Sequence, residues 1–344
     1  MFSKQPWMYN PVRKFYNDVI DQSLRVQNSH HLERTPSTGG NQSTWTFSAW
    51  IKRSKLGSVQ HIWTPHRGGD GTNESAFRFL ANDKLNIYDS GATRGQVTTT
   101  AVFRDVGQWY HIVVQFDLTN STANDRVKIY VNNVLQAKTV NNAIGTSVWG
   151  WNANNQRHRL GGYAYPSNDT TNSFDGYMAE VNFIDGTVVA PTAFGETKET
   201  IWIPKAITGL TYGTNGFRMT FADSSDIGNN ANSTDGTNDF TTVTGLTSAD
   251  VVADSPENNF STLNNLHTVP ATTFLEGNLR ANVSNVHKSV YATQTLKTGT
   301  GKKKYYFEAH AISGSANKFT IGLTDEKNTQ FQQSSSTNHV IAYS

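Results

Sequence analysis

Acidic residues are the first candidates for chemistry, because enzymes that hydrolyse glycosidic bonds need two carboxylates flanking the sugar bond. In retaining enzymes the two groups lie about 5–5.5 Å apart. The nearest acidic set in this sequence is Asp175 and Glu180, and their odd spacing places them on opposite faces of a regular strand. We therefore expect both residues to be structural. We expect no catalytic residues and no enzymatic activity, with a glycan-degrading enzyme as a remote alternative.

The sequence also contains no recognisable motif for nucleophilic catalysis. The 344 residues contain no cysteine, which excludes a cysteine nucleophile, a thiolate metal site and a disulfide framework. Serine, histidine and aspartate all occur, but the sequence has no Gly-x-Ser-x-Gly nucleophile elbow. Glycine-rich pieces such as Gly161-Gly162 lack the lysine and the helix of a phosphate-binding loop.

Calcium is the one cofactor that the residue types leave open. Ca²⁺ takes six to eight oxygen ligands from carboxylates, amides and carbonyls. Asp70 and Asn73 offer such oxygens in a glycine-rich loop. The alternative is ordinary turn chemistry, in which Asp and Asn hydrogen-bond their own backbone. No other cofactor is expected.

Aromatic and amide side chains in one long connection suggest carbohydrate recognition, because sugars bind to aromatic faces with polar groups beside them. The alternative is that Trp151 and its neighbours are framework positions of the fold. The candidate ligand residues are Trp149, Trp151, Asn154, Tyr163 and Tyr165.

Composition restricts the elements that could position these residues. Charged residues make up 16% of the chain, below the roughly 25% of an average soluble protein, and the net charge is only +2. Basic residues are scattered apart from Lys302, Lys303 and Lys304, so we expect no nucleic-acid partner. No run of 18 apolar residues occurs, so we expect no insertion into a membrane. Abundant threonine and aromatic residues favour strands, while asparagine and glycine favour turns. The composition thus predicts an all-β protein.

Strand-like alternation supports that prediction. Trp45, Phe47, Ala49 and Ile51 fall on one face of a strand, with Trp50 on the other. The same period of two recurs at 109–116, 126–131 and 177–183, and residues 77–88 predict a hairpin. Asn132-Asn133 predicts a type I′ hairpin turn, since asparagine tolerates the positive φ that this turn needs. Short strands separated by such turns are typical of an antiparallel sandwich.

The chain divides into four predicted segments. Residues 1–18 form an arm whose aromatic residues, Trp7, Tyr9 and Phe15, either dock on a partner chain or cover an edge of the next domain. Residues 19–205 form a β-sandwich. Residues 206–270 are dense in Asp, Asn, Ser, Thr and Gly, and are predicted to be a connector or a set of long loops. Residues 271–344 form a second, smaller or incomplete β domain.

Several stretches of residues 19–200 resemble the laminin-G-like group of the concanavalin A-like lectin/glucanase superfamily. These are 44–52 (TWTFSAWIK), 107–114 (GQWYHIVV), 127–133 (VKIYVNN) and 174–181 (FDGYMAEV). The resemblance implies an antiparallel jelly-roll sandwich. The Glu-x-Asp-x-x-Glu pattern of the enzymatic branches is absent here.

The C-terminal stretches 303–308 (KKYYFE) and 319–323 (FTIGL) resemble the start of a SPRY domain. Together with the segment 254–260 (DSPENNF), the pairing resembles virion proteins of tailed bacteriophages. That resemblance implies a tail fibre or appendage, assembled in the bacterial cytoplasm as a homo-oligomer. The arm would attach it to other virion proteins, and the sandwich would adhere to host-surface glycans. The alternative is a passive capsid-decoration, head-fibre or tail-adaptor protein with assembly contacts only.

Overall fold

The computed structural model describes residues 15–66, 74–91, 95–164, 172–233, 236–268, 272–283, 290–294, 308–310, 312, 321–322 and 340–341. The chain divides into two compact units, residues 1–260 and 261–344. Regular structure in the described residues consists of strands and three short 3₁₀ turns at Ala123–Asp125, Pro191–Ala193 and Ser248–Asp250. The all-β prediction is confirmed. None of the described segments is a helix that could cross a membrane.

The first sheet of unit one has the spatial order β10-β9-β8-β3-β13-β1-β18, and β16 also pairs with β13. Its neighbouring strands are antiparallel. Numbered in chain order, its members are β1 (Ser23–Val26), β3 (Thr44–Arg53), β8 (Trp109–Asp117), β9 (Val127–Val131), β10 (Val134–Leu135), β13 (Gly176–Asp185), β16 (Phe217–Met219) and β18 (Val251–Val252).

The second sheet has the order β11-β7-β6-β5-β4-β12-β2-β17 and is also antiparallel. Its members are β2 (His31–Arg34), β4 (Gln60–His66), β5 (Ser75–Phe79), β6 (Leu85–Asp89), β7 (Gly95–Thr99), β11 (Lys138–Asn142), β12 (Arg157–Leu160) and β17 (Thr242–Thr244). A separate hairpin joins β14 (Gly195–Lys198) to β15 (Ile201–Pro204).

The core lies between the two sheets and is rich in aromatic rings. Trp45, Phe47, Ala49 and Ile51 enter it from β3, as the alternation predicts. Trp50 lies on the opposite face of that strand, in a smaller cluster with Trp109 and Tyr177. The period of two therefore separates the two faces of β3 correctly.

The hairpin between β9 and β10 has the predicted turn. Asn132 and Asn133 have φ angles of 49° and 66°, and Val131 pairs directly with Val134. Both central residues therefore occupy the left-handed region that a type I′ turn requires.

Replacing Asn133 by alanine is expected to lower the free energy of unfolding by about 1 kcal/mol, because an alanine Cβ disfavours positive φ. Urea denaturation measures this change. Asn133→Gly is the control and should preserve the stability of the parent protein, since glycine adopts positive φ freely. Equal losses in both variants would contradict the explanation.

Residues 206–260 belong to the first unit and are not a separate connector. They supply β16, β17 and β18, which pair with β13, β2 and β1. The predicted connector over 206–270 is corrected accordingly. The apolar residues of this segment are widely spaced in the sequence, but they enter the main core. They are Phe217, Met219, Phe221, Ile227, Phe240 and Leu246.

Arg34 helps to hold the segment in place. Its guanidinium is buried, donates to the carbonyl oxygens of Asn215 and Asn238, and lies 4.8 Å from the centre of the Phe217 ring. Burial lowers the pKa of Arg34 to about 9, while the charge of Asp185 acts in the opposite direction. The arginine is therefore still charged at neutral pH, and its charge is satisfied largely by backbone carbonyls.

The second unit contributes three described strand pairs. These are β19 (Leu263–Thr268) with β22 (Val290–Ala292), β20 (Thr272–Leu275) with β21 (Arg280–Val283), and β23 (Ile321–Gly322) with β24 (Val340–Ile341). Most residues that carry the SPRY resemblance, 303–307, 319–320 and 323, lie outside the described residues. That resemblance stays a prediction.

Candidate functional site

The outer face of the second sheet carries a cluster of polar and aromatic side chains. Phe77, Phe79 and Ile87 point into the core from β5 and β6. Because side chains alternate across a strand, Arg78 and Tyr88 point to the outer face. The sequence therefore places an apolar side and a polar side on the same two strands.

Tyr163 lies over this outer face because the chain reverses direction after β12. Gly161 allows the reversal with a φ of 79°. The carbonyl oxygen of Tyr163 then accepts a hydrogen bond of 2.7 Å from Arg159. The Tyr163 ring stacks on His61, with centroids 4.5 Å apart and planes 22° apart. Its hydroxyl donates to Glu74 Oε2 at 2.9 Å, so the ring is fixed at both ends.

Glu74 is the central anion of this group. Burial raises its pKa, but hydrogen bonds to His61, Tyr88 and Tyr163 lower it by more. The pKa of Glu74 therefore lies below the ordinary value of 4.5. Burial lowers the pKa of His61. Glu74 is therefore ionised at neutral pH and His61 is neutral.

Arg78 and Tyr88 extend the polar surface across β5 and β6. The Arg78 guanidinium lies 3.9 Å from the centre of the Tyr88 ring, and its Nε donates to Asn86 Oδ1 at 3.1 Å. Burial raises the pKa of Tyr88, so its hydroxyl keeps its proton at neutral pH. We call His61, Glu74, Arg78, Tyr88 and Tyr163 the outer-face cluster.

A second charged group lies on the same sheet at β2 and β12. Glu33 Oε2 is 2.6 Å from Arg159 Nε and 3.5 Å from Arg157 Nε. Arg157 also donates to the carbonyl oxygen of Ala164 at 2.9 Å. The two arginines thus neutralise Glu33 and hold the segment that carries Tyr163.

This arrangement suits recognition better than acid–base catalysis. Tyr163, Tyr88 and Arg78 are half-buried, so parts of these side chains reach the surface. A glycosidase general acid needs a raised pKa, whereas that of Glu74 is lowered and Glu33 is paired with two arginines. The face offers aromatic surface with fixed donors and acceptors, which are the groups that orient a polar ligand.

The predicted sugar-contacting residues separate into different environments. Trp149 and Trp151 are fully buried in the core, where Trp151 packs 4.7 Å from Trp63. Their rings have no face left for a ligand, so both residues are framework positions rather than ligand contacts. Asn154 lies exposed in the turn before β12. Tyr163 belongs to the outer-face cluster, and Tyr165 lies outside the described residues.

Four members of the outer-face cluster were not predicted from the sequence. Arg78 and Tyr88 had a detectable signal, since they occupy the polar positions of the predicted hairpin at 77–88. His61 and Glu74 had none, because they meet only when β4 pairs with β5 and the chain after β12 folds back over them.

Of the acidic pair Asp175 and Glu180, Glu180 is engaged by an arginine of a neighbouring strand. Strand β13 has a bulge between Ala179 and Asn182, and Glu180 has a φ of 47°. Glu180 Oε1 accepts a 2.5 Å hydrogen bond from Arg218 Nε, which joins β13 to β16. This contact gives Glu180 the structural role that the sequence suggested.

Asp175 provides a test of pH dependence. Burial raises its pKa from 3.8 to about 6, and Lys55 opposes that shift. A raised pKa means that the folded state disfavours the ionised carboxylate, so stability falls as pH rises through about 6. The difference in unfolding free energy between Asp175→Asn and the parent is expected to shift by about 2–3 kcal/mol in favour of the variant from pH 4 to pH 8. Urea unfolding at the two pH values measures this, and a constant difference would contradict it.

The calcium prediction falls mostly outside the described part of the chain, since 67–73, with Asp70 and Asn73, is not described. Among the residues that are described, no group of three or more His, Asp or Glu side chains could hold a metal ion. Asp223 and Asp117 show ordinary turn chemistry, with each carboxylate bound to the residue two positions on.

The predicted arm is described only at its end. Trp7 and Tyr9 lie outside the described residues. Phe15 stacks edge-on with Tyr16, and its ring and carbonyl oxygen contact the Lys198 ammonium of β14. The end of the arm therefore packs on the first unit.

Comparison with known families agrees with this architecture. Residues 27–193 match the family model Laminin_G_3, described as the Concanavalin A-like lectin/glucanases superfamily. The match covers the strands from β2 to β13 and includes the outer-face cluster. No curated protein matches the sequence.

Solved structures are similar to about half of the chain at low identity. A candidate carbohydrate-binding protein from Bacteroides ovatus is 19% identical, with 48% of this chain and 43% of that chain covered and a TM-score of 0.34. The chain therefore spans less than half of that protein. The CBM40 of a Ruminococcus gnavus IT-sialidase is 14% identical, with coverages of 47% and 92% and a TM-score of 0.33. Domain 4 of the arabinanase AbnA from Geobacillus stearothermophilus is 16% identical, with coverages of 48% and 71% and a TM-score of 0.34.

Proposed function

We propose that the first unit is a carbohydrate-binding domain that mediates adhesion to host-surface glycans without cleaving them. The observation that carries the proposal is Tyr163, a half-buried ring fixed by stacking on His61 and by its hydrogen bond to ionised Glu74. A sugar ring can stack on such an aromatic side chain, while Arg78, which lies over the Tyr88 ring in the same cluster, supplies a cationic donor. The match to a lectin/glucanase family model supports the same conclusion.

Glycan binding is tested with a glycan array followed by titration of the best ligand. Tyr163→Ala is expected to weaken binding at least about tenfold, which corresponds to about 1.4 kcal/mol. Tyr163→Phe keeps the ring and removes only the hydroxyl, so it should retain most of the affinity.

The matched control is Tyr130→Ala. Tyr130 is also half-buried, but it lies on β9 of the first sheet. Its substitution should leave affinity unchanged. A folded Tyr163→Ala variant with the affinity of the parent would contradict the assigned face, and an array without any bound glycan would contradict the function.

Binding without cleavage is supported by the state of the carboxylates. Glu74 has a lowered pKa, Glu33 is paired with two arginines and Glu180 is paired with Arg218. The first unit should therefore release no reducing sugar from the glycans that it binds. Release that depends on Glu74 would favour the alternative of a glycan-degrading enzyme.

We further propose that the chain is a component of a bacteriophage virion, in a tail fibre or appendage, with the arm contacting other virion proteins. This rests on the resemblance carried by 254–260, 303–308 and 319–323. Repeated copies on a particle would convert weak single contacts into avidity. Immunogold electron microscopy with antibody to residues 19–200 tests it. Label on distal appendages would support adhesion, whereas label spread over the head would favour a passive decoration protein.

A further inference from the structure

Lys52 presents a buried amino group on the side of the first sheet that faces away from the main core. Its side chain has no exposed surface. Its Nζ donates to Asp254 Oδ2 at 2.8 Å, to Asn259 Oδ1 at 2.9 Å and to the carbonyl oxygen of Phe260 at 2.7 Å. The lysine nitrogen, which is a potential nucleophile, therefore contacts both a carboxyl group and a primary amide.

The surroundings hold these three groups in place, and Lys52 and Asp254 are buried among them. Trp109 Nε1 donates to Asp254 Oδ1 at 3.1 Å, and the Tyr177 ring centre lies 5.6 Å from Lys52 Nζ. Asn259 Nδ2 donates to the carbonyl oxygen of Gly107 at 2.8 Å. That bond orients the amide so that its oxygen faces the lysine. Trp109 and Tyr177 are themselves buried.

Burial favours the neutral amine that a nucleophilic attack requires. Desolvation lowers the pKa of Lys52, while the charge and hydrogen bond of Asp254 oppose that shift. The adjacent carboxylate is also the natural acceptor for the proton that the ammonium must lose. Because Lys52 and Asp254 are both buried, transfer of that proton converts a costly buried ion pair into two neutral groups.

We propose that Lys52 and Asn259 form an intramolecular isopeptide bond, with Asp254 as the group that carries protons between them. The bond would covalently join β3 to the last residues of the first unit. Nothing outside the chain is required, because the amine, the amide and the proton carrier all lie in the same cluster.

The step balances without an oxidant or a reductant. Lys52 Nζ gives one proton to Asp254 Oδ2 and then attacks Cγ of Asn259, which forms the Cγ–Nζ bond. A second proton passes from Nζ to Nδ2, the Cγ–Nδ2 bond breaks, and ammonia leaves. The departing ammonia takes the proton held by Asp254 and leaves as ammonium. The products are one secondary amide and the original Asp254 carboxylate.

The position of the bond gives it a mechanical consequence. The chain leaves the first unit directly after Phe260. A pull on the residues that follow would reach β3 through the covalent bond, without first stripping β16, β17 and β18 from the sheets. This consequence holds for any function in which the two units are under load.

Intact mass spectrometry of the denatured full chain tests the proposal. The parent protein should weigh one ammonia less than its sequence, and fragmentation should join the peptide of Lys52 to the peptide of Asn259. Lys52→Met and Asn259→Ala should each show the full sequence mass. Asn259→Asp should lose one water instead, because the same attack on a carboxyl group releases water.

Three results would overturn the proposal. The first is a folded parent chain at its full sequence mass after prolonged incubation at neutral pH. The second is loss of ammonia that persists in Lys52→Met, which would place the reaction elsewhere, for example in a succinimide at Asn215-Gly216. The third is a folded Asp254→Ala variant that crosslinks as fast as the parent, which would remove Asp254 from the reaction.

Discussion

Replacing Asp83 by asparagine is expected to lower the free energy of unfolding by about 3–5 kcal/mol, because it leaves a buried arginine without its counter-charge. Arg53 is fully buried and lies 3.1 Å from Asp83 Oδ1, with its guanidinium 4.1 Å from the centre of the Phe79 ring. Asp83 Oδ1 also accepts from the backbone nitrogen of Gly57, and Oδ2 accepts from Arg104. Asparagine preserves the shape and the positive φ of residue 83 but carries no charge.

The pH dependence of Asp83 has a defined sign. Burial raises its pKa, but the hydrogen bond from Gly57, Arg104 and the charge of Arg53 lower it below 3.8. Because its pKa is lowered in the folded state, ionised Asp83 stabilises the fold at pH values above its pKa in the unfolded chain. This stability is lost as the pH falls through the lower pKa of the folded state. The Asp83→Asn variant should therefore differ most from the parent at neutral pH and less in strong acid.

The control for this prediction is the exposed ion pair between Lys128 and Asp125, whose atoms are 3.6 Å apart. Asp125→Asn removes the same charge from a pair that water surrounds. Its expected cost is within about 0.5 kcal/mol. Chemical denaturation of the three proteins at neutral pH measures both effects. Equal costs for Asp83→Asn and Asp125→Asn would show that burial of Arg53 does not determine the penalty.

Truncating Trp63 to alanine is the second large prediction, with an expected loss of about 3–5 kcal/mol. Trp63 projects from β4 into the core, where its ring stacks on Phe47 at 5.3 Å and contacts Phe183 at 4.6 Å. Phe47 and Phe183 belong to the first sheet, so the indole joins the two layers. Its removal leaves a cavity that rings held by other contacts cannot fill.

The matched comparison is Leu135→Ala on β10, where the leucine is 51% exposed. A large apolar side chain is again removed, but no cavity forms, so the expected change is within about 0.5 kcal/mol. Urea unfolding measures both variants. A Trp63→Ala protein as stable as Leu135→Ala would contradict the assignment of Trp63 to the centre of the core.

The sequence alone determined the fold class and the faces of the main strands. Alternation along β3, β8 and β9 reports which side chains face the main core, because a strand that covers a core is apolar on every second residue. Asparagine at 132 and 133 determined the turn, since few other residues accept positive φ at both positions. These properties depend on residues near one another in the chain, and a sequence displays them directly.

Only the tertiary structure decided which neighbours cover each face. Trp149 and Trp151 have the composition of a sugar site, but the packing of two sheets buries them in the core. Tyr163 becomes a surface group because the chain reverses at Gly161 and brings the ring onto His61. Lys52 contacts Asn259, which lies 207 positions later in the sequence. Each of these contacts joins segments that are distant in sequence. Local alternation does not predict which distant segment will pack against a given face.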